Sequence, residues 1–328
     1  MNLIGNTNTK EQIQIALDSA RKRNMALPHM LFAGSAGCGK TSMAREVAKV
    51  GGVDFISVSP ENIKDSKDVR KLLDNLNHDN YDEKGNKVGK VKPSIIFVDE
   101  IHKLVLPAQE DFGIAMEDFM LPTSRPNRFF WLPYFTLIGA TTLAGNLSKP
   151  FYDRFKIIFD FRPYDLEDSC KIVKFHAQRI GVTLLDEATV EIANRSRGVP
   201  RLMVRYLERI RDFSSAKNKP LVTPRIVANV FNKLGIDAEG FTNTEIAILK
   251  ALYVSDKPIG LENIAIITNE SARTIKDTIE PYLIQRGFII RSGAGRLITR
   301  QGREYLDAQG YTGLNAGKIE ISANYKRN

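Results

Sequence analysis

Apolar positions in the first half of the chain follow two patterns. Ile13, Ala16, Leu17 and Ala20 recur at helical spacing within residues 10–24, and Pro28 ends that stretch. Met30-Leu31-Phe32-Ala33, Phe55-Ile56-Ser57-Val58, Ile95-Ile96-Phe97-Val98 and Phe135-Thr136-Leu137-Ile138 are short apolar runs separated by helical or polar stretches. Strands alternating with helices predict an α/β domain over residues 1–164, built on a parallel, doubly wound sheet. Residues 77–92 are polar and glycine-containing, and read as a surface excursion. Beyond Tyr164 the strand pattern stops. Residues 165–235 predict a small all-α domain of three or four amphipathic helices, with Pro200 and Pro224 each starting one. Gly235-Ile236-Asp237-Ala238-Glu239-Gly240 reads as a linker. Helices near 243–254, 260–267 and 270–286 then precede two β-rich pieces, Phe288-Ile289-Ile290 and Leu297-Ile298-Thr299. Three helices followed by a hairpin predict a winged helix over 238–310, with a tail at 311–328.

Composition narrows the class. Hydrophobic residues at 43% and charged residues at 26% exclude wholesale disorder. No apolar run approaches the roughly 20 residues of a membrane span, and the N-terminus has no signal-peptide core. Cys38 and Cys170 cannot build a disulfide framework, and the 4 histidines lack metal-site spacing. These features predict a cytoplasmic, reduced protein. Lys plus Arg is 47 against 38 for Asp plus Glu, a net charge of +9 that favours a polyanionic partner, nucleic acid before membrane.

The candidate chemistry begins at Gly34-Ser35-Ala36-Gly37-Cys38-Gly39-Lys40-Thr41, which fits the P-loop spacing, with an apolar strand before it and a helix after it. Glycines at 34, 37 and 39 let the backbone wrap close enough for N–H groups to face phosphate oxygens. Lys40 adds a point charge at the β- and γ-phosphates of ATP, and Thr41, followed by Ser42, supplies a hydroxyl for Mg²⁺. Asp99 and Glu100 end the apolar run 95–98, where open α/β sheets place ligands. Asp99 reads as the second Mg²⁺ group and Glu100 as the residue that polarises the attacking water. His102 and Lys103 read only as helix-start residues, and Cys38 as a small filler. Gly139-Ala140-Thr141-Thr142 ends another strand with hydroxyls able to sense a γ-phosphate, although threonine there is also ordinary strand chemistry.

GSAGCGKT, IIFVDEIH, FTLIGATT, PFYDRF and RSRGVPRLMVRYLERIRDF, in this order, resemble the AAA+ ATPases and, more closely, the RuvB family of Holliday-junction branch-migration motors. DAEGF and IEPYLIQRGFIIRSGAGRLIT extend the resemblance, which covers about residues 25–305. It implies a large AAA+ ATPase domain at 1–164, a helical lid at 165–235 and a winged-helix DNA-binding head at 238–310. By motif, Thr142 matches the sensor-1 residue, Arg154 the arginine finger that reaches a neighbour's ATP, and Arg201 the sensor-2 residue. Read from the residues alone, Arg154 also fits a structural ion-pair partner and Arg201 a helix-start residue pairing with a lid acid. Tyr164 and Glu117-Asp118-Phe119 are implied to lie near nucleotide, and Arg291 and Arg296 to face DNA from the wing. An ATP- and Mg²⁺-dependent hexameric ring on duplex or four-way-junction DNA follows from the resemblance.

Some features depart from the family pattern. The sequence opens at Met1-Asn2-Leu3-Ile4-Gly5, without the upstream segment through which the family helps to hold adenine. Tyr152 stands where the family usually has an arginine. The stretch between Phe119 and Pro133, which in the family docks the junction-binding partner RuvA, is several residues shorter. It still reads as a hairpin-like projection. Phe129-Phe130-Trp131 cannot all face one core, because neighbouring strand side chains alternate faces, so at least one is expected to be exposed or to meet a partner. Arg286, Arg291, Arg296, Arg300 and Arg303 crowd residues 284–303 without an acid, and read as a phosphate-tracking surface or a solvated basic face. A clamp-loader-like ATPase is the second reading, disfavoured by Asp-Arg-Phe around Arg154. An ATP-regulated winged-helix DNA-binding protein without translocation is the third.

Overall fold

The structure, a computed structural model, describes residues 1–76, 93–122, 129–216, 221–255 and 257–311. The excursion expected at 77–92 and the tail from 312 lie outside the described residues. Two compact units divide the chain, Met1–Pro224 and Arg225–Asn328.

The first unit opens on α1 (Thr7–Arg23), which buries Ile13, Leu17 and Ala20. β1 (Met30–Gly34) feeds the P-loop and α2 (Lys40–Gly51). β2 (Phe55–Val58) and α3 (Ser66–Asp74) follow, α3 being started by Asp65, whose carboxylate accepts the Lys67 and Asp68 N–H groups. β3 (Ser94–Val98) leads through a 3₁₀ turn at Ile101–Lys103 to α4 (Leu106–Asp118). A ribbon of β4 (Met120–Pro122) and β5 (Phe129–Trp131) then precedes β6 (Phe135–Thr141). The one-turn α5 (Lys149–Tyr152) and β7 (Ile157–Phe161) complete the α/β part.

The sheet is parallel throughout, in the order β2-β3-β6-β1-β7. β3 shows why it must be covered on both faces. Ile95 and Phe97 pack with α1 and α2, whereas Ile96 and Val98 pack with α3 and α4. Phe97 and Phe112 are fully buried on opposite faces, each worth roughly 1.5–3 kcal/mol relative to exposure.

His29, at the N-terminal edge of the sheet, ties β6 to the end of α4. Its Nδ1 accepts the Leu137 N–H at 2.8 Å, which leaves Nε2 to donate to the Met116 carbonyl at 3.0 Å. That pairing needs the neutral ring, and burial pushes the imidazole down to about 4. The unfolded chain then binds the proton first, so this stabilisation is complete above about pH 6.5 and is lost as pH falls towards 4. Urea unfolding of the first unit should lose about 2–3 kcal/mol more between pH 7 and 4.5 in the parent than in a His29→Gln variant. Equal losses would show that His29 is not acid-sensitive.

The lid part of this unit contains α6 (Leu166–Arg179), β8 (Thr183–Leu184), α7 (Asp186–Arg195), α8 (Pro200–Ala216) and β9 (Leu221–Val222). α6 starts on Asp165, whose side chain accepts the Asp168 N–H, and α8 starts on Pro200. The two-residue pairing of β8 with β9 is a non-helical detail that the apolar periodicity does not reveal.

The second unit takes in α9 (Pro224–Lys233) from its second residue on, then α10 (Asn243–Val254), begun by a Thr242/Glu245 capping box. The expected linker is a closed turn. Asp237 accepts the Phe241 N–H through its side chain and hydrogen-bonds Tyr305, while Phe241 is fully buried against Phe288 and Tyr305. α11 (Leu261–Thr268) is followed by one helical stretch of α12 (Ala272–Thr274), a π turn at Ile275–Ile279 and α13 (Glu280–Gln285). The widened turn falls where Pro281, which has no N–H, interrupts the regular ladder. β10 (Ile289–Ser292) and β11 (Gly295–Ile298) form the wing, with Arg291 opposite Arg296. α14 (Arg300–Ala308), capped by Thr299, was not read from the sequence and closes the winged-helix core through Leu306.

Candidate functional site

The site sits at the C-terminal ends of β1, β3 and β6. Gly37 takes a left-handed φ of 79°, and a Cβ there would lie 2.8 Å from Cβ of Arg201, so only glycine lets the loop pass beneath α8. Lys40 opens α2 and is 6% exposed, with Nζ donating to the Gly34 and Ser35 carbonyls at 2.8 and 2.9 Å. Burial lowers its pKa from the ordinary lysine value, and nearby Glu100 and Asp99 oppose that shift. Thr41 Oγ1 donates to Asp99 Oδ2 at 3.3 Å, and the Glu100 N–H donates to Asp99 Oδ1 at 3.0 Å. Glu100 has a φ of 51°, and its Oε2 accepts the Thr142 hydroxyl at 3.2 Å.

The P-loop and the end of β3 form one wall of a cleft of about 490 Å³, whose lining does not include Thr142. Ala36, Gly37, Gly39, Lys40, Thr41 and Ser42 lie on it with Asp99 and Glu100. The lid provides the other wall through Pro200, Arg201, Val204, Arg205 and Glu208 of α8, with His176 of α6. The Arg201 N–H reaches the Gly37 carbonyl at 3.4 Å, joining the lid to the P-loop. Thr41 and Asp99 bring two hard oxygen donors together, which suits a magnesium ion. Tyr164 stands beside Gly39, where an added Cβ would come within 3.3 Å of its hydroxyl. Asn6 donates to that hydroxyl at 2.6 Å, and burial pushes the phenol up to about 12.

Three expected nucleotide neighbours are placed elsewhere. α4 runs away from the P-loop, so Glu117, Asp118 and Phe119 reach the opposite edge of the sheet. There Phe119 packs against His29, Tyr134 and Phe135, rings that surround the starts of β1 and β6. Within one chain these residues do not line the cleft. Glu117 instead holds Arg154, its Oε2 lying 2.6 Å from Nη2.

The wing also requires a correction. Arg296, expected on the DNA-facing surface of the wing, is 7% exposed, and its Nε and Nη2 donate to both carboxylate oxygens of Glu280 at 2.9 and 2.8 Å. Sequence proximity had grouped it with exposed arginines, yet alternation on β11 turns it inward. Arg286 pairs with Glu239 and Arg300 with Glu304, which further reduces the basic surface. Arg291 is exposed and has no carboxylate partner among the described residues. On the ribbon, Phe129, Phe130 and Trp131 are all exposed, at 54, 40 and 64%; the turn at 123–128 lies outside the described residues.

Sequence reasoning passed over His102, which reaches Glu100 and Thr141, and the cleft residues Arg205, Glu208 and His176. Arg205 and Glu208 stand four and seven positions beyond Arg201, so helical spacing carried their signal. Nothing in the local sequence marks His176.

Three family models match in domain order: the Holliday junction DNA helicase RuvB P-loop domain over residues 1–161, the RuvB AAA lid domain over 164–237 and the RuvB C-terminal winged helix domain over 238–307. The solved structure of the Thermotoga maritima RuvB Holliday junction branch migration motor superposes with a TM-score of 0.77 at 32% identity, over 93% of this chain and 95% of that one. A proline-to-glycine variant of the same Thermotoga maritima RuvB gives a TM-score of 0.79 at 31% identity, over 93% and 96%. Matched by three successive domains of one family along nearly all its length, the chain belongs to the RuvB family.

Proposed function

We propose that this chain is an ATP-driven DNA motor that migrates Holliday junctions as a homo-oligomeric ring, a hexamer by family resemblance. The observation that carries the reading is the Lys40–Thr41–Asp99–Glu100 constellation facing Arg201 across the cleft, in a chain that ends in a winged helix. Backbone N–H groups of the P-loop and Lys40 grip the phosphates of ATP. Thr41 and Asp99 would hold a magnesium ion, which would supply charge neutralisation to the phosphates. Glu100 orients the attacking water and takes its proton, while Thr142 and Arg201 respond to the γ-phosphate. Arg154 serves the neighbouring subunit's ATP, and Glu117 positions its guanidinium. Arg291 meets the DNA backbone. The exposed aromatics of β5 form the docking face for a junction-binding partner other than standard RuvA. RuvB domain order, with the winged helix directly after the lid, favours this motor over a clamp loader or a regulator.

Mixed rings test the reading on a synthetic four-way junction. Arg154→Ala or Lys40→Ala subunits alone should not migrate it. Mixing them should restore part of the activity, because some interfaces then join an intact pocket to an intact arginine. Verified mixed rings with no recovery would place Arg154 in a role within its own subunit.

A further inference from the structure

His102 follows β3 in the 3₁₀ turn, with its side chain only 10% exposed. Its Nδ1 lies 2.8 Å from Thr141 Oγ1 and 3.4 Å from Glu100 Oε2. Thr141 is fully buried at the end of β6, and its Oγ1 also accepts the Leu143 N–H at 2.9 Å. A carboxylate oxygen so close favours the ring tautomer with hydrogen on Nδ1, because a nitrogen lone pair would repel it. Thr142, the next residue, donates to the same Oε2 at 3.2 Å. One oxygen of Glu100 therefore accepts the Thr142 hydroxyl and has the His102 ring nitrogen, hydrogen-bonded to Thr141, 3.4 Å away in electrostatic contact, whereas Oε1 has no hydrogen-bond partner among the described residues. The left-handed backbone of Glu100 carries local strain, and contacts that fix its side chain accompany it.

We propose that His102 is a positioning residue for ATP hydrolysis: with Thr142 it pins Oε2 of Glu100, so that Oε1 is the oxygen presented to the attacking water. Thr141 holds the imidazole in register with the end of β6, which links the orientation of the base to the strand that carries Thr142. This inference rests on Glu100 being the base.

Steady-state ATPase and binding of a fluorescent ADP analogue separate positioning from packing. The full-length chain is compared as parent, His102→Ala, His102→Asn, Glu100→Gln and the Glu100→Gln, His102→Ala double variant. Asparagine Nδ2 stands as many bonds from the backbone as the imidazole Nδ1, so it restores the donor without the ring. His102→Ala should lower kcat about 10- to 100-fold, with ADP affinity within about twofold of the parent. His102→Asn should recover most of that loss, and His102→Ala should add no further loss to Glu100→Gln. Parental kcat in His102→Ala overturns the proposal, as does equal loss in the Ala and Asn variants or a parallel loss of ADP affinity. Parental turnover by Glu100→Gln overturns it together with the base assignment; a dead Glu100→Gln beside an active His102→Ala overturns it alone.

Discussion

Arg296→Ala should destabilise the winged-helix unit by about 3–5 kcal/mol, because it leaves the Glu280 carboxylate, in a residue 3% exposed, without its partner. The loss is confined to the side chain: the Arg296 backbone exchanges hydrogen bonds with Ile259 in both directions, and alanine keeps both groups, so the wing stays joined to the segment before α11. Hydrogen exchange of the α13 and β11 amides in the full-length chain measures the effect locally, without requiring both units to unfold together. Replacing the pair by Glu280→Leu with Arg296→Met should return most of the protection, since apolar residues of similar volume do not carry the desolvation cost of two ions. Arg291→Ala should behave in the opposite way: unchanged exchange, and a salt dependence of DNA binding shallower by about 0.9, one phosphate contact. An Arg296→Ala variant with parental exchange and a shallower salt slope would return Arg296 to the DNA surface.

Glu100→Gln should keep its grip on ATP while kcat falls by about 10²–10⁴-fold. The amide retains the size of the side chain and can still accept from Thr142, but it cannot take a proton from water. Lys40→Ala should fail earlier, losing nucleotide affinity together with turnover, because its ammonium is the nearly buried charge of the P-loop. Equilibrium binding of a fluorescent ATP analogue beside single-turnover hydrolysis distinguishes the two failures. Hydrolysis by Glu100→Gln at the parental rate would remove Glu100 from its role.

The α/β architecture was legible because a parallel sheet buried on both faces writes itself as short continuous apolar runs, as at Ile95–Val98, and because P-loop spacing is local. Lys40, Thr41 and Asp99 were readable for the same reason: each sits at the end of an element whose position the pattern predicts. The starts of α8 and α9 at Pro200 and Pro224 were equally plain, since proline is favoured in a first helical turn.

Local pattern therefore accounts for the set of elements and for the chemistry carried on strand ends. Tertiary structure alone decided which charged groups are free. Arg296 and Arg291 look alike in a run of arginines, but Glu280, sixteen positions upstream, neutralises one and not the other. The direction of α4 carries Glu117, Asp118 and Phe119 away from the cleft, and a motif does not encode direction. His102 reaches Thr141 only because β3 and β6 are neighbours in the sheet. Local patterns follow from backbone geometry over a few residues, whereas pairing of charges and donors depends on contacts between segments far apart in the chain, which only packing brings together.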